Sequence, residues 1–303
     1  GTAYANFAVP MIPFYIFYSI FGFQRVGDMI WSCADSMAKG FLVGGTAGRT
    51  TLNGEGLQHQ DGHSHVIAST VPNMRSYDPA FAYELAVIVR DGIERMYQND
   101  ENIFYYLTLY NQNYPMPAMP EGVEEGILNG MYRYQQSDST GKKVHLLGSG
   151  SLMQEVLKAA EILQGYGCSA DIWSVTSYNE LLRQAQQVER QNMLTPEVPE
   201  QNYIQQLMAD EQGIVVACSD FMKSLPTSVA RWFPQPMVAL GTDGFGLSES
   251  RPDLRDHFEV DARYIAWSAL AGLYREGSLS QNVLMQARTE LNIPESKSDP
   301  ASF

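Results

Sequence analysis

Apolar residues along the chain fall into short continuous runs that alternate with longer stretches of helical spacing. In the first third, the runs predict strands at 12–19, 66–74 and 103–109, the first of them covered on both faces. Helical spacing predicts helices at 22–39 and 79–97. Alternating strands and helices favour a mainly parallel sheet.

Residues 40–62 break this pattern, because they are dense in glycine and small polar residues. The composition predicts a long loop rather than a regular element. Loops held by a rigid scaffold often carry functional side chains.

Three prolines, Pro115, Pro117 and Pro120, lie within six residues and predict an extended linker. We therefore expect a first domain at 1–114, a linker at 115–126 and a second domain at 127–303. In the second domain the spacing predicts strands at 143–147, 170–175, 213–217 and 237–240, and helices at 152–164, 219–232, 262–275 and 281–291. The fold class expected is α/β, with two domains and mainly parallel sheets.

The composition limits the classes of protein and of binding partner that fit this chain. A chain of 303 residues with 45% hydrophobic residues is typical of a globular protein of two domains. The formal net charge is −14, and no stretch concentrates Lys or Arg, so we expect no nucleic-acid partner.

Three cysteines form no CxxC pair, which favours a reducing, cytoplasmic location. Pro10 and Pro13 interrupt the apolar stretch at 7–23, so a membrane span is not expected there. The chain begins with Gly1 and turns apolar almost at once, as a fragment entered within a domain would.

The segment GEGLQHQDGHSH (54–65) holds three of the five histidines and two carboxylates. Imidazoles beside carboxylates can transfer protons or bind a metal. A metal-dependent enzyme would use His59, His63 and His65, while an inert reading has them hydrogen-bonded within an irregular loop. The segment alone leaves these alternatives open.

Tyr15, Tyr18 and Phe21 recur at a spacing of three, which fits either core packing or a platform for a flat heteroaromatic ring. GSGS (148–151) lacks the spacing of a phosphate-binding loop and predicts a tight turn. GTDGFGLSESR (241–251) is expected to be a buried turn or a subunit contact.

Five segments together resemble the homodimeric bacterial pyruvate dehydrogenases, thiamine-diphosphate enzymes of transketolase-like architecture. They are PMIPFYIFYSIFGFQRVGD, GGTAGRTTLNGEGLQHQDGHSH, NYPMPAMPEGVEEGI, LLGSGS and GTDGFGLSESRPDLRDHFEVDA. The resemblance implies an incomplete pyrimidine-binding domain followed by a transketolase-type C-terminal domain.

The same resemblance implies roles for four residues. Tyr18 and Phe21 match positions that pack on the aminopyrimidine ring, His59 a group that transfers protons or orients substrate, and Glu55 its electrostatic partner. The implied activity is oxidative decarboxylation of pyruvate with acetyl transfer to a lipoyl-bearing acyltransferase component. Thiamine diphosphate and Mg²⁺ are the implied cofactors.

The resemblance also places the glutamate that activates the aminopyrimidine, and the domain that holds Mg²⁺ and the diphosphate, upstream of Gly1. No metal ligand is therefore assigned here, and we expect the 303 residues alone to be inactive, with a missing N-terminal portion and a second copy as partners. An incomplete first sheet should expose an unpaired edge. A non-catalytic assembly or regulatory module, and an enzyme for another 2-oxo acid, stay open as alternatives.

Overall fold

Two sheets flanked by helices make up the protein in the computed structural model, which describes Phe7 and residues 9–302. The strands of the first sheet are β1 (Phe14–Tyr18), β2 (Phe41–Gly45), β3 (Met74–Tyr77) and β4 (Phe104–Thr108). Those of the second are β5 (Met131–Gln135), β6 (Lys142–Gly148), β7 (Cys168–Val175), β8 (Ile214–Cys218) and β9 (Met237–Leu240).

The helices lie between and after these strands. They are α1 (Phe23–Asp35), α2 (Ser64–Ala68), α3 (Ala82–Ile93), α4 (Glu124–Asn129), α5 (Met153–Gln164), α6 (Tyr178–Leu194), α7 (Tyr203–Met208), α8 (Ser224–Thr227), α9 (Arg251–His257), α10 (Ala262–Arg275) and α11 (Gln281–Glu290). Short 3₁₀ turns occur at Ser19–Phe21, Gly150–Leu152 and Ala230–Trp232, and a π-helical segment at Glu94–Gln98.

The first sheet is parallel throughout, with strand order β1-β2-β4-β3. Strand β4 lies inside this sheet, between β2 and β3, and is buried along its whole length. Tyr105 and Tyr106 point to opposite faces of β4 and are both inaccessible. The core of this half forms around them.

The second sheet has strand order β5-β7-β6-β8-β9, and only β5 runs antiparallel. Alternate residues of β6 pack on different layers: Val144 and Leu146 belong to the cluster with α5 and α10, and Leu147 to the cluster with α6. Helices thus cover both faces, as parallel sheets require. The expected α/β class with mainly parallel sheets is confirmed.

The two halves share a buried polar interface. Glu84 on α3 is inaccessible and accepts hydrogen bonds from Tyr132 Oη (2.7 Å) and Ser174 Oγ (2.6 Å) of the second half. Asp78 N donates to Thr176 O at 2.7 Å, and Gly150 N donates to Asp78 O at 3.1 Å. These contacts fix the loops of one sheet against those of the other.

The first predicted strand exists, but it is not covered on both faces. β1 lies at the edge of its sheet, and Tyr15 and Ile16 are 62% and 70% exposed. An edge strand has one neighbour, so half of its backbone groups and much of its apolar surface stay accessible.

Three other predictions were wrong in part. Residues 40–62 contain strand β2, whose Gly44 allows the hydroxyl of Tyr106 to approach the backbone closely. Residues 66–74 hold the short helix α2 and a turn, with β3 starting only at Met74. Residues 219–232 contain only α8 and a 3₁₀ turn, with Pro226 inside the former.

Strand β5 and helices α4, α6, α7 and α9 were missed. Each is short or rich in polar residues, so its apolar positions did not stand out in the sequence. The remaining predicted elements are present within a few residues. In the part of the chain that the structure describes, no helix combines the length and the apolar character needed to cross a bilayer.

Candidate functional site

The residues singled out in the sequence lie where strands of both sheets end. Tyr18 closes β1, the loop 46–63 follows β2, Asp220 follows β8, and the loop 241–250 follows β9. Parallel strands of each sheet bring their carboxyl ends to one edge, which is where α/β proteins bind ligands.

Two aromatic rings form an accessible wall of this region. Tyr18 and Phe21 have ring centroids 5.6 Å apart and are tilted by 36°. Tyr18 is 43% exposed, and the guanidinium of Arg25 lies 4.0 Å from the centroid of Phe21. The pair therefore offers apolar surface at the site rather than filling the core of the first sheet.

His59 faces this pair from the loop. Its ring centroid lies 5.7 Å from that of Tyr18 and 5.3 Å from that of Phe21. Its Nδ1 lies 3.3 Å from Glu55 Oε2, a close approach without hydrogen-bond geometry. The side chains of His59 and Glu55 are 28% and 44% exposed, so both can reach a ligand. The structure thus brings all four predicted site residues together.

Asp61 joins the aromatic wall to the histidine loop. It is inaccessible and accepts hydrogen bonds from Ser19 Oγ, from Gln24 Nε2 (3.4 Å), and from the backbone of His63 and Ser64 (3.0 Å each). Ser19 directly follows Tyr18, so this carboxylate sets the approach of the aromatic residues to His59. A buried carboxylate must be paired in this way to be tolerated.

Asp220 anchors the start of the histidine loop from the second sheet. Its two carboxylate oxygens accept from the backbone N–H groups and hydroxyls of Thr50 and Thr51, at 2.6–3.1 Å. Burial raises the pKa of Asp220, while the bonds from Thr51 and Thr50 and the charge of Arg255 oppose that shift. The sequence reading missed this residue, although an aspartate two positions after a buried strand is a usable signal.

Arg49 ties the same loop to the loop 241–250. Its NH1 donates to the carbonyls of Thr242 (2.5 Å) and Gly244, and its NH2 lies 3.3 Å from His63 Nδ1. Burial lowers the pKa of Arg49 against the charges of Asp61 and Asp220.

The other two loop histidines turn away from the aromatic wall. His65 is buried, contacts Thr108 Oγ1 through Nε2 at 2.9 Å, and has its pKa lowered to about 4 by burial. Burial also lowers the pKa of His63, against the attraction of Asp61.

No metal-binding group forms from the loop histidines. Within the described residues, the one set of three with converging ligand atoms is formed by His145 and Asp171 of the second sheet and Glu211, which precedes strand β8. Trp173 Nε1 donates to His145 Nδ1 at 3.2 Å, so the proton of that ring lies on Nε2, which faces Gln212 O at 3.0 Å. Both ring nitrogens are thus engaged.

The two glycine-rich turns have structural roles. In the GSGS turn, Gly150 N donates to Asp78 O, and Ser151 Oγ lies 2.5 Å from Thr51 Oγ1, so its groups are used within the protein. The same interface holds the Asp78 carboxyl, whose pKa burial raises to about 7. The turn at 241–251 packs on the histidine loop.

Comparison with known proteins shows the family of the chain. Residues 1–117 match the pyruvate dehydrogenase E1 component middle domain, and residues 130–261 match the transketolase-like C-terminal domain. Over 99% of its length the chain is 52% identical to the pyruvate dehydrogenase E1 component of Escherichia coli (strain K12), and 49% identical to that of Pseudomonas aeruginosa. The chain spans about a third of the length of these relatives, 34% in both cases.

Solved structures show the same fold at lower sequence identity. A transketolase from Pichia stipitis aligns with a TM-score of 0.65 and 17% identity, covering 88% of this chain and 35% of that one. A structure described as a split gene transketolase, inactive β4 tetramer, aligns with a TM-score of 0.64 and 19% identity, covering 90% of this chain and 80% of that one.

Proposed function

The chain belongs to the family of pyruvate dehydrogenase E1 components, and from this premise we propose that it forms part of an enzyme that decarboxylates pyruvate oxidatively. In this proposal the enzyme transfers the acetyl group to the lipoyl group of an acyltransferase component. The 303 residues supply one wall of the cofactor site and its acid–base pair.

The observation that carries the proposal is the meeting of Tyr18, Phe21, Glu55 and His59 at one accessible place. The ring centroids of His59 and the two aromatic residues lie 5.3–5.7 Å apart. Surface aromatic residues beside an imidazole–carboxylate pair suit a ligand that is part heteroaromatic ring and part reacting carbonyl.

The residues fit the aminopyrimidine end of thiamine diphosphate, because Tyr18 and Phe21 offer apolar ring faces that would hold it. When bound, the cofactor supplies the electron sink for decarboxylation. His59 would hold or transfer a proton at the substrate oxygen, and Glu55 near its Nδ1 would orient the imidazole as its electrostatic partner. The buried Asp61 keeps the two walls together.

The diphosphate and Mg²⁺ are proposed to bind outside these residues. We also propose a homodimer and, from three free cysteines, a cytoplasmic location. The proposed domains remain 1–114 and 127–303, joined by the linker 115–126.

A chimera tests the proposal. These 303 residues would replace the matching region of the Escherichia coli relative, to which they are 52% identical. We expect pyruvate turnover that depends on thiamine diphosphate and Mg²⁺. A chimera that folds, elutes like the Escherichia coli protein and binds thiamine diphosphate, yet does not consume pyruvate, would contradict the proposal.

A second candidate function is a non-catalytic assembly module, favoured by the structural likeness to a chain described as an inactive β4 tetramer. For the isolated 303 residues we expect no turnover of pyruvate and concentration-dependent association through the exposed β1 edge. Light scattering across a hundredfold concentration range checks the association. Turnover by the isolated chain would show that this site is complete without further residues.

A further inference from the structure

Gln60 directly follows His59 and differs from it in being almost fully buried, with 1% of its surface exposed. Its amide nitrogen Nε2 donates to Leu52 O at 2.5 Å and to Leu247 O at 3.0 Å, and its Oε1 accepts from Leu247 N at 2.8 Å. The amide thus bridges the histidine loop and the loop 241–250 of the second sheet.

Chemistry fixes the orientation of this amide. Two of its three partners are carbonyl oxygens, which only accept, and the third is a backbone N–H, which only donates. A single arrangement, with Nε2 toward Leu52 O and Leu247 O, satisfies all three. The side-chain amide of Gln60 thus pairs with both the N–H and the C=O of Leu247, as a peptide group of a neighbouring strand would.

The turn that carries Glu55 and His59 is held at both ends by the same loop. At its start, Gly54 N donates to Glu249 O at 3.0 Å. At its end, a side chain at Gly246 would collide with Oε1 of Gln60, so the backbone of the loop packs directly on the amide. Between these ends, Glu55 and His59 are accessible.

We infer that Gln60 is a positioning residue, through which the second sheet fixes the turn that presents Glu55 and His59 to the reacting groups. The inference rests on the proposed function of His59. It also explains why the turn that carries Glu55 and His59 is ordered. Side chains that act on substrate need a support that holds them within about half an ångström.

The first test uses the 303-residue chain and needs no activity. In Gln60→Ala we expect amide exchange to speed up about 10-fold in residues 54–62 and 244–249, because three buried hydrogen bonds are lost. Gln58→Ala is the matched control, since Gln58 is an exposed glutamine of the same turn. Equal exchange in the two variants would overturn the inference.

A second variant reaches the same contact from the opposite loop. Gly246→Ala should speed exchange in residues 54–62 of the wild type, because the added methyl displaces the Gln60 amide. In the Gln60→Ala background the same substitution should have a smaller effect, since the amide is absent and only the Cβ at position 60, 2.8 Å from the added methyl, still contacts it. Equal effects in both backgrounds would show that Gly246 acts on the turn without Gln60.

The third test measures turnover in the chimera with the Escherichia coli relative. Gln60→Ala should lower kcat about 10- to 100-fold while KM for pyruvate changes little, and it should add no further loss to His59→Ala. A full additional loss in the His59→Ala background would overturn the positioning role. If the parent chimera has no turnover, the proposed function fails, and amide exchange alone decides whether Gln60 holds the turn.

Discussion

The two walls of the candidate site differ in how the protein holds them. The histidine loop is fixed by its own buried side chains Gln60 and Asp61 and by Asp220, which follows strand β8 of the second sheet. The aromatic wall stands on an edge strand whose Tyr15 and Ile16 are mostly exposed. The proposed catalytic groups are therefore organised within this chain, while the proposed ring-binding surface adjoins exposed apolar surface of the kind that protein contacts cover.

Substitution of Asp220 should have the largest effect on the histidine loop. In Asp220→Ala four donors of Thr50 and Thr51 lose their acceptor, so we expect a loss of at least about 3 kcal/mol in the free energy of unfolding. Urea denaturation measures it. Asp210→Ala, at an exposed carboxylate, is the control and should stay within about 0.5 kcal/mol of the wild type.

A loss at Asp220 no larger than at Asp210 would mean that the histidine loop is not anchored from the second sheet.

Lowering the pH should reduce the free energy of unfolding through the protonation of His65. Its pKa is about 4 in the folded protein and 6.5 when exposed, so the unfolded chain binds more protons between these values. Its contribution is complete above pH 6.5 and is lost as the pH falls toward 4. The difference between wild type and His65→Gln in free energy of unfolding should change by about 2 kcal/mol across that window.

Denaturation at several pH values gives this difference, and a constant value from pH 6.5 to 4 would exclude the role of His65.

The aromatic wall should be the less costly side to alter. Tyr18→Ala should change the free energy of unfolding by less than about 1 kcal/mol, because the ring is 43% exposed. In the chimera the same substitution should weaken thiamine diphosphate binding several-fold, about 1 kcal/mol for one aromatic contact. Calorimetric titration measures it, with the equally exposed Tyr274→Ala as control. Equal affinities for thiamine diphosphate in the two variants would show that Tyr18 does not contribute to the binding surface.

Much of the second sheet could be predicted from sequence, because buried parallel strands such as β8 (Ile214–Cys218) are continuous apolar runs. The edge position of β1 could not, since apolar residues on an exposed edge and in a core give the same pattern. Glycines hid β2, where Gly44 accommodates a tyrosine hydroxyl from β4.

The site shows the same division. The clustering of histidines singled out the segment 54–65, and the spacing of three singled out the aromatic series that contains Tyr18 and Phe21. The roles proposed for Tyr18, Phe21, Glu55 and His59 came from the family resemblance. Asp220 and Gln60 act on groups far along the chain, and no local pattern reports a contact between positions 60 and 247. Long-range support of this kind emerges only from the packing of the two sheets.

His59 is proposed to act on substrate beside the aromatic wall, and the turnover of the His59→Ala chimera measures this role. We expect a kcat at least about 100-fold below that of the parent chimera, with thiamine diphosphate affinity unchanged within a few-fold and no such loss in His257→Ala. A His59→Ala chimera that turns over pyruvate as fast as His257→Ala would contradict it.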